Sequence, residues 1–310
     1  MDICGLCELA VQLGCEVKNN EPLSLHTSFN VGGECEAFID ICSGTALKEL
    51  ISAAGGNGIR FYVLGNGSNV IFDSKGYNGV IFHIGRLLSD IRFDETSSEE
   101  EFRVYAEAGA GLNRLCTFAL DNSLTGLEFA YGIPGSVGGA IFMNAGAYGG
   151  EIKDILCAAV VFDINTCEIR RISDDDFSLG YRHTSFMDKE QIILGGVFSL
   201  KKGDKEDIKA KMTDLMGRRK DKQPLEYPSA GSTFKRPEGK FAGKLIQDSG
   251  LRGLSVGGAQ VSEKHCGFVI NKGNATSDDI MTLIKHIQDI VFDKTGTKLE
   301  CEVRFVPFEE

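Results

Sequence analysis

Positive charge is scarce in this chain: 33 Lys and Arg stand against 44 Asp and Glu, for a formal net charge of −11 and a pI near 5.1. Non-specific nucleic-acid affinity comes mostly from clustered cations on phosphates, so no nucleic-acid partner is expected and any basic patch must be local. Long apolar runs are missing too. No stretch reaches about 18 residues without a charged or polar break, and Met1 to Gly14 has no basic segment ahead of its apolar residues. The first absence argues against a membrane partner and the second against export, so a cytoplasmic protein is expected. Ten cysteines run from Cys4 to Cys301 outside any secretory context, and reduced thiols follow. Cys4-Gly5-Leu6-Cys7 has the spacing of half a zinc site or a redox pair. No second C-x-x-C exists and no His pair stands at finger spacing, so the segment reads as a mobile N-terminal helix and no metal is expected.

What the chain does have is length and glycine. Its 310 residues exceed the size at which one core usually keeps growing, which predicts two or three lobes. Its 38 glycines cluster at Gly32 to Gly33, Gly55 to Gly67, Gly109 to Gly111 and Gly132 to Gly150. Such clusters mark backbone that turns sharply or approaches a ligand closely. Between them, apolar runs of strand length occur at 61–64, 80–84, 102–106 and 158–164, and helical patterns at 45–54 and 112–122. This is a mixed α and β texture. It changes near Lys201, where a charge-rich helical stretch to Lys222 suggests a boundary. A second helix should start at Thr276 or Ser277, with Asp278 and Asp279 in its first turn, and stop at Gly296. Beyond it, Leu299, Cys301, Val303 and Phe305 alternate with polar residues, which predicts a terminal strand with Glu302 and Arg304 on the face away from the core.

None of the glycine segments is a P-loop, since G-x-x-x-x-G-K-[ST] is absent. Gly65-Asn66-Gly67-Ser68-Asn69 follows a strand but lacks the third glycine of a Rossmann turn, as does Gly109-Ala110-Gly111. Both still offer unshielded N–H groups suited to a pyrophosphate, or are tight turns alone. Gly132-Ile133-Pro134-Gly135-Ser136-Val137-Gly138-Gly139, continuing to Asn144-Ala145-Gly146-Ala147-Tyr148-Gly149-Gly150, has more sterically permissive positions than a structural loop needs. Ligand contact is the favoured reading there.

Six motifs in order carry a resemblance: Leu64 to Val70, Gly126-Leu127-Glu128-Phe129, Gly132 to Gly139, Gly180-Tyr181-Arg182-His183, Ala230-Gly231-Ser232-Thr233-Phe234-Lys235, and Leu299-Glu300-Cys301-Glu302-Val303-Arg304. Together they resemble the UDP-N-acetylenolpyruvoylglucosamine reductase family, the MurB flavoenzymes of peptidoglycan precursor synthesis. The match spans roughly residues 26 to 306. It implies an α+β fold, with a two-lobed FAD-binding domain of the vanillyl-alcohol-oxidase type and a C-terminal α+β substrate domain. The expected limits are 1–86 for the first lobe, with the strand at 298–310 returning to it, 87–202 for the second, and 203–297 for the substrate domain.

The resemblance further implies non-covalent FAD, NADPH as hydride donor and an enolpyruvyl UDP-sugar as the small-molecule substrate. For the cofactor it points to Gly65, Asn66, Gly67, Ser68, Asn69, Gly132, Ile133, Pro134, Ser136, Gly138, Gly139, Asn144 and Gly146. It gives catalysis to Arg182, Ser232 and Glu302, and substrate contact to Arg218, Lys222, Phe234 and Lys235. Arg182 suits a carboxylate because a guanidinium grips it bidentately and stays charged. Plain alternatives stand beside each role: a surface ion pair for Arg182, a helix cap for Ser232, a solvated strand glutamate for Glu302, and a helix end for the Arg218 to Lys222 cations. Two departures are visible. Asn30 stands where the family usually has a basic residue before Val-Gly-Gly. Only about 50 residues separate Arg182 from Ser232, too few for the family's inserted tyrosine loop, so the shorter type is implied. Another flavoprotein oxidase, or a catalytically silent nucleotide-sugar sensor, remains as a rival.

Overall fold

The computed structural model describes residues 1–98 and 101–309. Its apolar side chains gather into two separate cores, and the chain divides with them into two compact units. The first comprises Met1–Asn19, Ala37–Asn66 and Gly79–Arg218; the second comprises Asn20–Glu36, Gly67–Asn78 and Arg219–Glu310. Each unit is therefore discontinuous in sequence and has its own apolar interior, as a domain must. Among the described residues, no helix is long and apolar enough to cross a membrane.

In the first unit, strand Phe61–Leu64 pairs in parallel with Tyr77–His83, Phe61 opposite Val80 and Leu64 opposite His83. Val80, Ile81 and Phe82 are all fully buried, which is why this strand shows an unbroken apolar run instead of alternation. Helix Gly44–Gly56, capped by Ser43, buries Leu47, Leu50, Ile51 and Ala54. The N-terminal helix Ile3–Gln12 is not loose: Asp2 caps it, and Leu6 and Ala10 are wholly buried in this core. All ten cysteines are free.

The unit's larger sheet is antiparallel, in the order Glu168–Ser173, Leu156–Asp163, Gln191–Lys202, Phe102–Glu107, Ile91–Phe93. Gln191–Lys202 is central and buried for most of its length. Lys201 and Lys202 finish this strand, so the change of texture near Lys201 marks the step from strand to helix. Helix Lys205–Lys222 starts on Asp204, whose Oδ1 accepts the N–H groups of Glu206 and Asp207, and it buries Ile208, Met212 and Leu215. A Cβ at Gly196 would lie 2.5 Å from Ile141 Cδ1. Glycine there lets the short helix Val137–Phe142 lie flat on the sheet, and this sets the height of the loop before it.

The second unit is built on helix Ser277–Thr295. Thr276 caps it in a reciprocal box with Asp279, and Gly296 ends it in the left-handed conformation. Ile280, Leu283, Ile284, Ile287 and Val291 face the core at helical spacing. A three-stranded antiparallel sheet, Ser255–Val256, Ala259–Val261 and Val269–Asn271, packs against it. The terminal strand is shorter than its alternation suggests. Only Arg304–Val306 is regular, paired in parallel with Val70–Phe72, while Cys301 bridges Phe234 instead. Because the chain changes partners near Val303, the alternation fails beyond it, where Phe305 is 37% exposed and Val306 is buried, while Glu302 before it is half-buried.

The two edge strands of the large sheet are linked. Arg171, on Glu168–Ser173, grips Asp94, just past Ile91–Phe93, with both terminal nitrogens at 2.8 and 3.0 Å. Burial pushes the Asp94 carboxyl up, but hydrogen bonds from Arg171 and Thr96 outweigh it and hold it at about 2, against 3.8 ordinarily. A folded value below the unfolded one stabilises the fold above about pH 4, and that contribution is lost as pH falls toward 2. Asp94→Asn should therefore cost about 1–2 kcal/mol in urea unfolding near neutral pH. The gap from the unsubstituted protein should narrow by pH 3, and a gap independent of pH would rule the account out.

Candidate active site

Three glycine segments meet in the first unit. A Cβ at Gly65 would sit 2.7 Å from Ser136 Oγ, one at Gly138 2.8 Å from Ala108 Cβ, and one at Gly109 2.0 Å from Gly85 O. These glycines are spent on packing the loops together. Main-chain bonds complete the join, with Val137 N–H donating to Ala110 O and Gly138 N–H to Ala108 O, both at 2.8 Å. Gly111 differs: its φ is an ordinary −64°, and a Cβ there would meet no protein atom within 4 Å. Neither backbone strain nor packing against the protein requires glycine at this position. Glu128 fixes the approach to the loop. It is buried and accepts from Thr125 Oγ1 at 2.5 Å, Gly126 N–H at 3.1 Å and Lys211 Nζ at 3.5 Å.

The second half of the glycine-rich run has a different partner. Gly146–Ala147 and Gly150–Glu151 form a hairpin whose two turn residues, Tyr148 and Gly149, have φ of 54° and 91°. Arg182 lies against it, donating to Asn144 O at 3.2 Å and Gly146 O at 3.3 Å, with its guanidinium 5.3 Å from the Tyr181 ring. His183, beside it, pairs with Asp188 at 3.3 Å on the surface.

In the second unit, segments far apart in sequence lie side by side. Glu302 N–H donates to Thr233 O at 2.8 Å, and Lys235 N–H donates to Glu300 O at 2.9 Å. Asn69 Nδ2 donates to Glu302 O at 3.2 Å, and Arg304 N–H to Asn69 O at 3.0 Å. The Ser232, Glu302 and Gly67-Ser68-Asn69 motifs are thus laced into one patch of backbone. Ser232 caps no helix; it is exposed, between Gly231 at φ 77° and the buried Thr233, whose Oγ1 accepts Val269 N–H at 3.0 Å. Gly67 is required by contact, since its Cβ would fall 1.9 Å from His26 O. Phe234, expected at the substrate, is 3% exposed and belongs to the core. It anchors the strand from within while Ser232 and Lys235 remain at the surface.

The cations differ among themselves. Arg218, in the first unit, pairs with Asp214 one helical turn away at 2.8 Å. Arg219 is buried and donates to Gln223 at 3.2 Å. Lys222 is exposed, and Lys235 lies 3.4 Å from Glu300.

Comparison with known proteins shows which chemistry this arrangement belongs to. Residues 223–306 match the family described as UDP-N-acetylenolpyruvoylglucosamine reductase, C-terminal domain, and residues 37–173 match the FAD binding domain family. The reductase of that name from Agathobacter rectalis is 48% identical over 308 residues, 97% of each chain. The one from Clostridium novyi is 47% identical over 94% of this chain and 92% of its own. The crystal structure of UDP-N-acetylenolpyruvylglucosamine reductase from Thermus caldophilus is similar at 31% identity, with a TM-score of 0.78 over 94% of this chain and 100% of that one.

The chain belongs to the UDP-N-acetylenolpyruvoylglucosamine reductase family. It is an FAD-dependent oxidoreductase of the family's reaction, reduction of an enolpyruvyl UDP-sugar with NADPH in peptidoglycan synthesis. The interval from Arg182 to Ser232 is taken up by the short helix Ser185–Asp188, strand Gln191–Lys202 and helix Lys205–Lys222.

The residues present fit the flavin. A diphosphate needs donors that the fold has not already used. Among the described residues, the N–H groups of Asn66, Gly111, Gly135 and Ser136 in the first unit, and of Gly67 and Ser68 in the second, have no protein partner. The N–H groups of Val137, Gly138 and Gly139 are taken by Ala110 O, Ala108 O and Ser136 Oγ, so these three residues have no main-chain donor left to offer. Gly111 was not separable in sequence from Gly109, because only the tertiary neighbours distinguish an enclosed glycine from an open one. Gly111→Leu should leave the flavin-free protein within about 0.5 kcal/mol of normal stability, because a Cβ there meets no protein atom within 4 Å. It should cut FAD retention on gel filtration at least tenfold. Full flavin content in this variant would show that Gly111 does not face the cofactor.

Proposed function

We propose that Arg182, Ser232 and Glu302 carry the chemistry by which this reductase converts UDP-N-acetyl-3-O-(1-carboxyvinyl)glucosamine to UDP-N-acetylmuramate. When bound, FAD supplies the hydride. Hydride addition to the terminal alkene carbon leaves negative charge beside the carboxylate, delocalised into it as an aci-carboxylate. Arg182 meets that charge as a permanent cation. Its contacts with the Asn144 and Gly146 carbonyls fix its position without cancelling its charge. Glu302 hydrogen-bonds the same group when protonated. Ser232 gives the proton to the carbanion: a hydroxyl is a weak acid in water, but transfer to a carbanion runs downhill when geometry allows. The observation that carries this reading is the pairing of the Ser232 and Glu302 segments, because Glu302 N–H on Thr233 O sets the proton donor and the carboxyl at a constant separation.

Lys222, Arg218 and Lys235 serve the diphosphate and sugar, supplying local cations to a chain of net charge −11. FAD is held without a covalent bond, since no His or Cys lies in the loops at 65–69, 109–111 or 132–139. The enzyme works on small molecules in the cytoplasm, with neither nucleic acid nor membrane as partner.

Ser232→Ala separates the steps. Flavin reduction by NADPH needs no proton donor at 232 and should keep its rate, whereas reoxidation by the enolpyruvyl sugar should slow about 100-fold, roughly 3 kcal/mol. Equal slowing of both half-reactions, or normal reoxidation, would remove Ser232 from the mechanism. In the same stopped-flow series, Lys222→Ala should raise the sugar concentration for half-maximal reoxidation by about 10- to 100-fold with the limiting rate little changed. An unchanged concentration would leave Lys222 a solvated helix end.

A further inference from the structure

Every polar group of Asn144 is spent inside the protein. Its N–H donates to Ile141 O at 3.0 Å, and its Oδ1 accepts Lys153 N–H at 2.9 Å. Its Nδ2 donates to Gly180 O at 2.9 Å and to Glu151 Oε2 at 3.1 Å, and its carbonyl receives Arg182 Nη1. The residue is wholly buried and sits at φ 42°, a conformation an L-residue keeps only where its surroundings enforce it. Nothing on it remains for a cofactor.

The targets of these bonds form a pattern. Gly180 and Arg182 flank Tyr181 in a tight turn, and Arg182 itself has φ 52°. Asn144 holds both ends of that turn, its side chain on the Gly180 carbonyl and its main chain on the guanidinium. The other guanidinium nitrogen goes to Gly146 O, and Gly146 is paired in the hairpin directly opposite Glu151. Glycine is needed there because a Cβ would meet Glu151 Cγ at 2.7 Å. Glu151 therefore supports both carbonyls that receive Arg182: Asn144 through its side chain, and Gly146 through the hairpin register. Lys153, at 2.8 Å, holds the carboxylate in place.

We propose that Asn144 and Glu151 are positioning residues that set the angle of the Arg182 guanidinium toward the substrate carboxylate. The glycine-rich run at 144–150 then serves that arginine and not the cofactor, as had been expected of Asn144 and Gly146 from the sequence. The proposal rests on the reading of Arg182 as the cation for the developing aci-carboxylate. A bidentate contact is sensitive to angle, and displacement by about 1 Å can cost on the order of 100-fold in rate. Removing the clamp should thus slow the step that needs Arg182 while leaving the flavin loops at 109–111 and 132–139 in place.

The experiment is a double-mutant cycle on the FAD-loaded enzyme. Asn144→Gly keeps the carbonyl and tolerates the positive φ but removes all side-chain bonds. Reoxidation by the enolpyruvyl sugar should slow at least tenfold, with flavin content, reduction by NADPH and the calorimetric affinity for the sugar changed less than threefold. In an Arg182→Ala background the same substitution should add nothing. Glu151→Ala should behave like Asn144→Gly, and Glu151→Gln, which still accepts from Asn144, should recover most of the rate. These variants answer the question even if Asn144→Gly does not fold. Equal slowing in both backgrounds, or loss of flavin with normal reoxidation of the enzyme that retains it, would overturn the positioning role. If Arg182→Ala alone reoxidises normally, it is the reading of Arg182 that fails. If Arg182→Ala is slow but neither Asn144→Gly nor Glu151→Ala is, only the positioning proposal fails.

Discussion

The main-chain hydrogen bonds of residues 300 to 304 are the constraint on which the second unit's share of the chemistry depends. This short segment bonds to Thr233 and Lys235 on one side and to Asn69 on the other. Each such bond contributes only about 1 kcal/mol net. Their importance is positional, because they set a proposed proton donor, a proposed catalytic carboxyl and a cofactor-loop residue into one rigid frame. The frame is backed by the core: Leu299, Val303 and Phe234 are buried in it, and the buried Thr233 hydroxyl ties in Val269.

The first unit reaches the same end with different means. Its loops are short and poor in side chains, so they are ordered by close backbone approach: Gly65 on Ser136, Gly109 on Gly85, Gly138 on Ala108. Glycine thus plays two opposite parts in neighbouring positions. At most of them it lets protein meet protein, and at Gly111 a side chain would start into open space. Arg182 is held on two main-chain carbonyls, those of Asn144 and Gly146, where the chain enters a hairpin.

Electrostatics divide the same way. Asp94, buried, and Arg171, exposed, form a close pair that serves the fold, joining the edges of a sheet. The basic stretch around 218–222 is mixed. Arg218 is engaged by Asp214, Arg219 is buried with Gln223, and Lys222 stands in solvent, so equal charges in a row of sequence have unequal freedom to meet a phosphate.

Several features were legible in the sequence because their causes are local. The helix from Thr276 to Gly296 was readable from its capping residues and apolar spacing, and the strand at 61–64 from its apolar run. Family membership was readable from six ordered motifs. What could not be read follows from contacts made at long range. The chain enters and leaves each core several times, so its units are not stretches of sequence. The N-terminal helix looked loose because its partners lie elsewhere, and Leu6 and Ala10 are buried only by tertiary packing. Phe234 stood within a functional motif, but burial gives it to the core. Asn144 was expected at the cofactor, and the fold shows its side chain bonded to Gly180, Glu151 and Lys153, contacts that the sequence does not reveal. The sequence by itself determined which residues could do the chemistry, since charge, acidity and conformational freedom belong to residue types. Only the tertiary structure decided which of them are presented and which are consumed, because a hydrogen-bonding group already paired inside the protein has nothing left to offer a substrate.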